Sequence, residues 1–150
     1  MLSPTAHVNA EKLAETKMKQ EGTERLTVMV VEDFEDNRFM MRRLLEMSGY
    51  HVVEAENGEE AIKRAASERP DLILMDLSLP LLDGLAATRT IRQNIEMRNV
   101  PVIAVSAHDT ADFHAEALAA GCNEYVTKPI DFDQLESLLT RLLSEKANEL

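Results

Sequence analysis

Apolar and polar positions along this chain fall into short unbroken apolar runs separated by longer stretches with helical spacing. The runs are Leu26 to Val31 (LTVMVV), Leu72 to Met75 (LILM) and Val102 to Val105 (VIAV). A continuous apolar run bounded by turn signals predicts a strand buried on both faces. His51 to Ala55 alternates, which predicts a strand nearer an edge, and Glu124 to Thr127 predicts a short fifth strand.

The intervening stretches predict five helices. The first carries Met40, Met41, Leu44 and Leu45, with Asp36 as its N-cap and Gly49 as its stop. In the second, Asn57 and Glu60 open a helix through Ala61, Ile62, Ala65 and Ala66, and Pro70 ends it. Asp83 caps the third, with Leu85, Thr88, Ile91, Arg92 and Ile95 along one side. The fourth spans about Thr110 to Ala120 and closes at Gly121. The last starts near Asp131 with the stripe Leu135, Leu138, Leu139, Leu142, Leu143. Strand then helix, repeated five times with short connections, implies an α/β fold with a parallel sheet and helices on both faces.

Residues 1–24 predict an N-terminal extension. Ala10, Leu13, Ala14 and Met18 give only a thin apolar face, and Gly22 breaks it. One domain over residues 25–150 follows.

Apolar content of 45% suffices for a core at this length. Cys122 is the single cysteine, so no disulfide within the chain is expected and the composition points to a reducing, cytoplasmic setting. No apolar run approaches the roughly 18 residues of a membrane span, so no membrane partner is expected. Residues 1–25 hold four acids and four bases, so the formal charge of −11 belongs to the rest of the chain. Such a surface repels phosphate backbones, which argues against nucleic acid as a partner.

Parallel strands deliver their carboxyl ends to one edge of the sheet, where ligands bind in open α/β folds. That edge collects Glu32 and Asp33 from strand one, Asp76 from strand three, Ser106 from strand four and Lys128 from strand five. Three converging carboxylates repel one another unless a cation compensates. A few hard oxygen ligands suit Mg²⁺, which keeps several waters and sits beside phosphate. A lysine and a hydroxyl at the same place supply charge and a hydrogen bond to a transferring phosphoryl group, and a carboxylate can be the nucleophile.

Four segments, VVED (Val30 to Asp33), LILMDLSLPLLDG (Leu72 to Gly84), VIAVSAH (Val102 to His108) and YVTKP (Tyr125 to Pro129), resemble the receiver domains of two-component response regulators. The resemblance covers residues 26 to about 145. It implies a flavodoxin-like, doubly wound sheet of order 2-1-3-4-5. It implies Asp76 as phosphoacceptor, Asp33 as a direct Mg²⁺ ligand, Glu32 acting on the metal through water, and the backbone carbonyl of Ser78 as a further ligand. Ser106 would bind the phosphoryl group and Lys128 would pair with Asp76. Tyr125 would change rotamer with activation, and Ala107 and His108 would form the rim of the site. Glu32, Ser106 and Leu81 depart mildly from the residues most common in the family. A cis Lys128-Pro129 bond is also implied, as is control of phosphoryl lifetime by Ser78 and His108.

The function so implied is a stand-alone receiver, similar to the single-domain type that regulates the cell cycle. It would take its phosphoryl group from a histidine kinase or phosphotransfer protein and signal through a protein target on the face of helix four, strand five and helix five. A phosphorelay intermediate is the nearest alternative. A Mg²⁺-dependent phosphatase with an aspartyl-phosphate intermediate is less well matched, because Ser78 stands where it needs a second acid. A flavin carrier would need a phosphate-binding loop after strand one, where this chain has acids. His7, His51 and His114 read as ordinary surface histidines, and Cys122 as a packing residue.

Overall fold

The computed structural model describes residues 25–79 and 83–148. The extension expected over residues 1–24 and the turn position Leu81 lie outside the described residues. The elements run β1 (Thr27–Val31), α1 (Glu35–Met47), β2 (His51–Ala55), α2 (Gly58–Glu68) and β3 (Leu72–Asp76). They continue with α3 (Gly84–Gln93), β4 (Val102–Ser106), α4 (Ala111–Ala120), β5 (Glu124–Thr127) and α5 (Phe132–Asn148). All strand pairs are parallel and the order is β2-β1-β3-β4-β5, the expected doubly wound fold.

Residues alternate between the two faces of each strand, and the sheet therefore feeds two cores. Met29, Val31, Ile73, Met75, Val102 and Ala104 pack against Ala61 and Ala65 of α2, Ala87 and Ile91 of α3 and Ala117 of α4. Val28, Val30, Leu72, Leu74, Ile103 and Val126 pack against Met41 and Leu45 of α1 and the leucine stripe of α5. β1, β3 and β4 are almost entirely buried because both faces are covered, which is why they read as unbroken apolar runs.

Several local expectations hold. The Asn57 side chain accepts the Glu60 N–H at 2.8 Å, and Asp83 accepts that of Ala86 at 2.8 Å. Gly121 ends α4 with φ of 110°, a left-handed conformation that glycine adopts without strain. Lys128-Pro129 is cis.

Two expectations do not hold. Asp36 is not the cap of α1. Phe34 occupies that position without a side-chain cap, because the Glu32 carboxylate already accepts the Phe34 N–H at 3.0 Å and turns the chain two residues earlier. Ile95 does not continue the side of α3. The helix ends at Gln93 and Ile95 is exposed, while Met97 and Val100 fill the core beneath. Among the described residues, no helix is long and apolar enough to cross a membrane.

Candidate functional site

The strand register brings the polar strand ends level with one another. Val31 pairs with Met75, so the next residues, Glu32 and Asp76, come side by side. Asp76 pairs with Val105 and Ser106 with Thr127, which places Ser106 and Lys128 successively further along the same edge. Glu32, Asp76 and Ser106 are buried, and Asp33 is exposed at the rim.

Carboxylate oxygens of Glu32, Asp33 and Asp76 lie within 4.8 Å of one another. Lys128 Nζ donates to Asp76 Oδ2 at 3.0 Å and reaches Glu32 Oε1 at 3.4 Å. The other Asp76 oxygen, Oδ1, accepts the Ser78 N–H at 2.9 Å. Burial works against the Lys128 charge, but the hydrogen bond and charge of Asp76, followed by those of Glu32, outweigh it and hold the ammonium above its ordinary value. One lysine thus faces three acids. The excess negative charge and the all-oxygen donor set fit a small hard divalent cation.

Ser106 Oγ accepts the His108 N–H at 3.0 Å, which folds the start of the β4–α4 connection back over the strand end. Tyr125 donates its hydroxyl to the His108 carbonyl at 2.6 Å, so the tyrosine is tied to the same connection. Ala107 and His108 are exposed beside these contacts, where the rim was expected. The sequence-predicted site residues therefore share one edge, with Ser78 present through its backbone, except Tyr125, which lies three strands from β1 and pairs with Ala104 two residues short of that edge.

Three residues were not foreseen. Arg38 is buried on α1, three residues before Met41 and seven before Leu45 on the same face, where its charge hid it in the sequence. Its guanidinium donates to the Glu32 carbonyl at 3.0 Å and pairs with Glu54 at 3.1 Å and Glu56 at 3.3 Å, which fixes the backbone carrying the acids. Gly84 begins α3 against the Asp76 backbone. His114, read as an ordinary surface histidine, stacks on Tyr125 with ring centroids 3.9 Å apart and pairs with Asp109 at 2.8 Å.

A five-stranded 2-1-3-4-5 sheet whose edge carries clustered acids, a lysine and a buried serine defines the receiver class, and the sequence comparison agrees. The family model for the response regulator receiver domain matches residues 28–140, and the chain belongs to that family of two-component signalling proteins. Among its relatives, the polar-differentiation response regulator DivK of Brucella anthropi is 43% identical over 104 residues, covering 69% of this chain and 85% of DivK. DivK of Brucella ovis is 41% identical over the same length and shares.

Solved structures agree in fold. The receiver domain of the sensor histidine kinase PA1611 of Pseudomonas aeruginosa, crystallised with a magnesium ion in its active-site cleft, is 36% identical with a TM-score of 0.75. The match covers 81% of this chain and 99% of that one. The chemotaxis protein CheY4 of Vibrio cholerae is 25% identical with a TM-score of 0.76, over 79% and 99% of the two chains.

Proposed function

We propose that this chain takes a phosphoryl group onto Asp76 from a histidine kinase or a histidine phosphotransfer protein, with Mg²⁺, and signals through a phosphorylation-dependent protein contact. The observation that carries this reading is the Lys128 ammonium 3.0 Å from Asp76 within the cluster of three carboxylates. The receiver unit is read as residues 25–150, with residues 1–24 as an extension.

Asp33 and Asp76, with Glu32 through water and the Ser78 carbonyl, would hold the ion. Bound there, Mg²⁺ supplies positive charge against the acids and the phosphoryl oxygens. One Asp76 carboxylate oxygen forms a bond to the donor phosphorus as the phosphorus–nitrogen bond breaks, and the donor imidazole keeps that electron pair. Lys128 is placed to move its hydrogen bond from the carboxylate to a phosphoryl oxygen. Ser106 can turn its hydroxyl hydrogen toward another. The backbone N–H of Ser78 holds the carboxylate orientation throughout. Ser78 and His108, each two residues past a site residue, stand where attacking water enters and are read as setting the lifetime of the phosphoryl group.

Phosphorylation adds charge and strong acceptors beside Ser106. Drawing Ser106 toward them opens space behind β4 that the Tyr125 ring is placed to fill. The face of α4, β5 and α5 then has two arrangements, and a partner that distinguishes them is favoured by phosphorylation and favours it in return. Incubation with a small phosphodonor and Mg²⁺ tests the reading: the wild type should be labelled and Asp76→Asn should not. Equal labelling of the two would overturn it.

A further inference from the structure

Two stacked ring pairs flank the β4–α4 connection. The His108 ring lies on Phe113 at 4.4 Å and 7°, and the His114 ring lies on Tyr125 at 3.9 Å and 23°. The Tyr125 hydroxyl, bonded to the His108 carbonyl, joins the two pairs. His114 is held on two sides, by the phenol ring on its face and by Asp109 Oδ1 at 2.8 Å from its Nε2. It belongs to α4, outside the carboxylate cluster, and no step of the phosphoryl chemistry uses it.

We infer that His114 is a pH-sensitive positioning residue: as an imidazolium it clamps the Tyr125 ring in its surface orientation and opposes the inward movement that follows phosphorylation. This rests on the reading of Tyr125 as the switch given above. A neutral imidazole stacks on phenol as one aromatic ring on another. A protonated one adds a cation over the electron-rich ring face. It also presents a charged N–H to Asp109. The Asp109 pair alone would not couple to the switch, because both partners sit within five residues of each other and that pair survives when Tyr125 leaves. The cation on the ring is lost when Tyr125 moves inward. Protonation therefore favours the surface orientation by that difference, and phosphorylation in turn releases a proton from His114.

The surroundings isolate this effect. From β5 the facing group is the Tyr125 phenol, and from the β4–α4 connection it is the Asp109 carboxylate. The shallow hollow beside the ring is lined by Asp109, Thr110, Ala111, Ala115 and Leu118, of which Asp109 alone is charged. His108 carries the other imidazole close by, but its ring lies on Phe113 and it meets the Tyr125 hydroxyl through its backbone carbonyl.

The test uses the full chain with isotope-labelled tyrosine rings, followed by NMR from about pH 5 to about pH 8, where imidazoles change charge. The chain has two tyrosines, and Tyr50, buried in the other core, serves as the internal control. In the wild type the Tyr125 signals should titrate together with the His114 imidazole. His114→Phe keeps a stacked ring without the charge and should abolish that titration, whereas His108→Gln keeps the carbonyl and should preserve it. With a small phosphodonor, the phosphorylation rate of His114→Phe relative to wild type should be near unity at the alkaline end. It should rise to about two- to fivefold at the acid end, the size of one exposed cation–π contact. A Tyr125 titration that persists in His114→Phe, a rate ratio independent of pH, or a response lost in His108→Gln instead would each overturn the clamp. If Asp76 accepts no phosphoryl group at any pH, the functional reading fails, while the ring titration in unphosphorylated protein still decides whether the clamp exists.

Discussion

Gly84 stands so close to Asp76 that a Cβ added to it would meet the Asp76 carbonyl oxygen at 2.2 Å and the Leu77 Cα at 2.9 Å. Its backbone needs no left-handed conformation, so the requirement is for space alone. A glycine there lets the first turn of α3 rest directly on the chain that presents the carboxylate. Gly84→Ala should therefore displace that backbone. An overpacking cost of about 1–3 kcal/mol is expected in urea denaturation, together with slower phosphorylation. An unchanged urea midpoint would mean that the helix yields freely.

The three carboxylates repel one another when no metal is bound, and Asp33 is the exposed member. Asp33→Asn should raise the stability of the metal-free protein slightly by removing one of the like charges. In the wild type, Mg²⁺ at one hundred times its dissociation constant should add about 2.7 kcal/mol by mass action. Thermal unfolding with and without Mg²⁺ should show that increment in the wild type and little of it in Asp33→Asn. The same increment in both would remove Asp33 from the metal site.

Arg92 of α3 ties together two backbone stretches, residues 97–100 before β4 and residues 121–123 before β5. Its guanidinium donates to the carbonyls of Gly121, Met97, Arg98 and Val100 and to Asn123 Oδ1, which also accepts the Val102 N–H at 2.8 Å. Arg92→Leu would leave several partly buried acceptors without a donor. A loss of about 1–3 kcal/mol in urea denaturation is expected, with phosphorylation retained because the carboxylate cluster lies at the other end of the strands.

Stability should fall on the alkaline side. Burial, helped by the Glu136 charge, pushes the Tyr50 phenol up against the opposing hydrogen bond of Thr140. Burial also pushes the Cys122 thiol up, against the Thr88 hydrogen bond and the Arg92 charge. Lys128 is held up as described above. All three bind their protons more tightly in the folded chain than in the unfolded one. Their contributions are complete below the ordinary values, about 8.5 for the thiol and 10 or above for the others, and are lost as pH rises through the folded values. Urea midpoints measured from neutral pH upward should decline from about pH 8.5, and Cys122→Ala should remove the earliest part of that decline.

The strand ends are legible in the sequence because buried parallel strands write themselves as apolar runs, and each run here stops on a polar residue. Once the strands are parallel, Glu32, Asp33, Asp76, Ser106 and Lys128 must share an edge. What spacing does not encode is pairing across the sheet. Arg38 shares the face of Met41 and Leu45 by periodicity, but its charge reads as solvent-facing until Glu54 of β2, Glu56 just beyond it and the Glu32 carbonyl are placed around the guanidinium. His114 resembles any exposed histidine until β5 brings Tyr125 against it. The helix cap failed for a related reason: the Glu32 side chain turns the chain before Asp36 can do so.

The most direct measurement is where the phosphoryl group resides. Borohydride reduction of the phosphorylated protein converts an aspartyl phosphate to homoserine, and peptide mapping by mass spectrometry then locates it. The expected result is homoserine at position 76 alone, formed only when Mg²⁺ was present during phosphorylation. Homoserine at position 33, or a borohydride-resistant phosphoryl group on His108, would contradict the assignment of Asp76 as the acceptor.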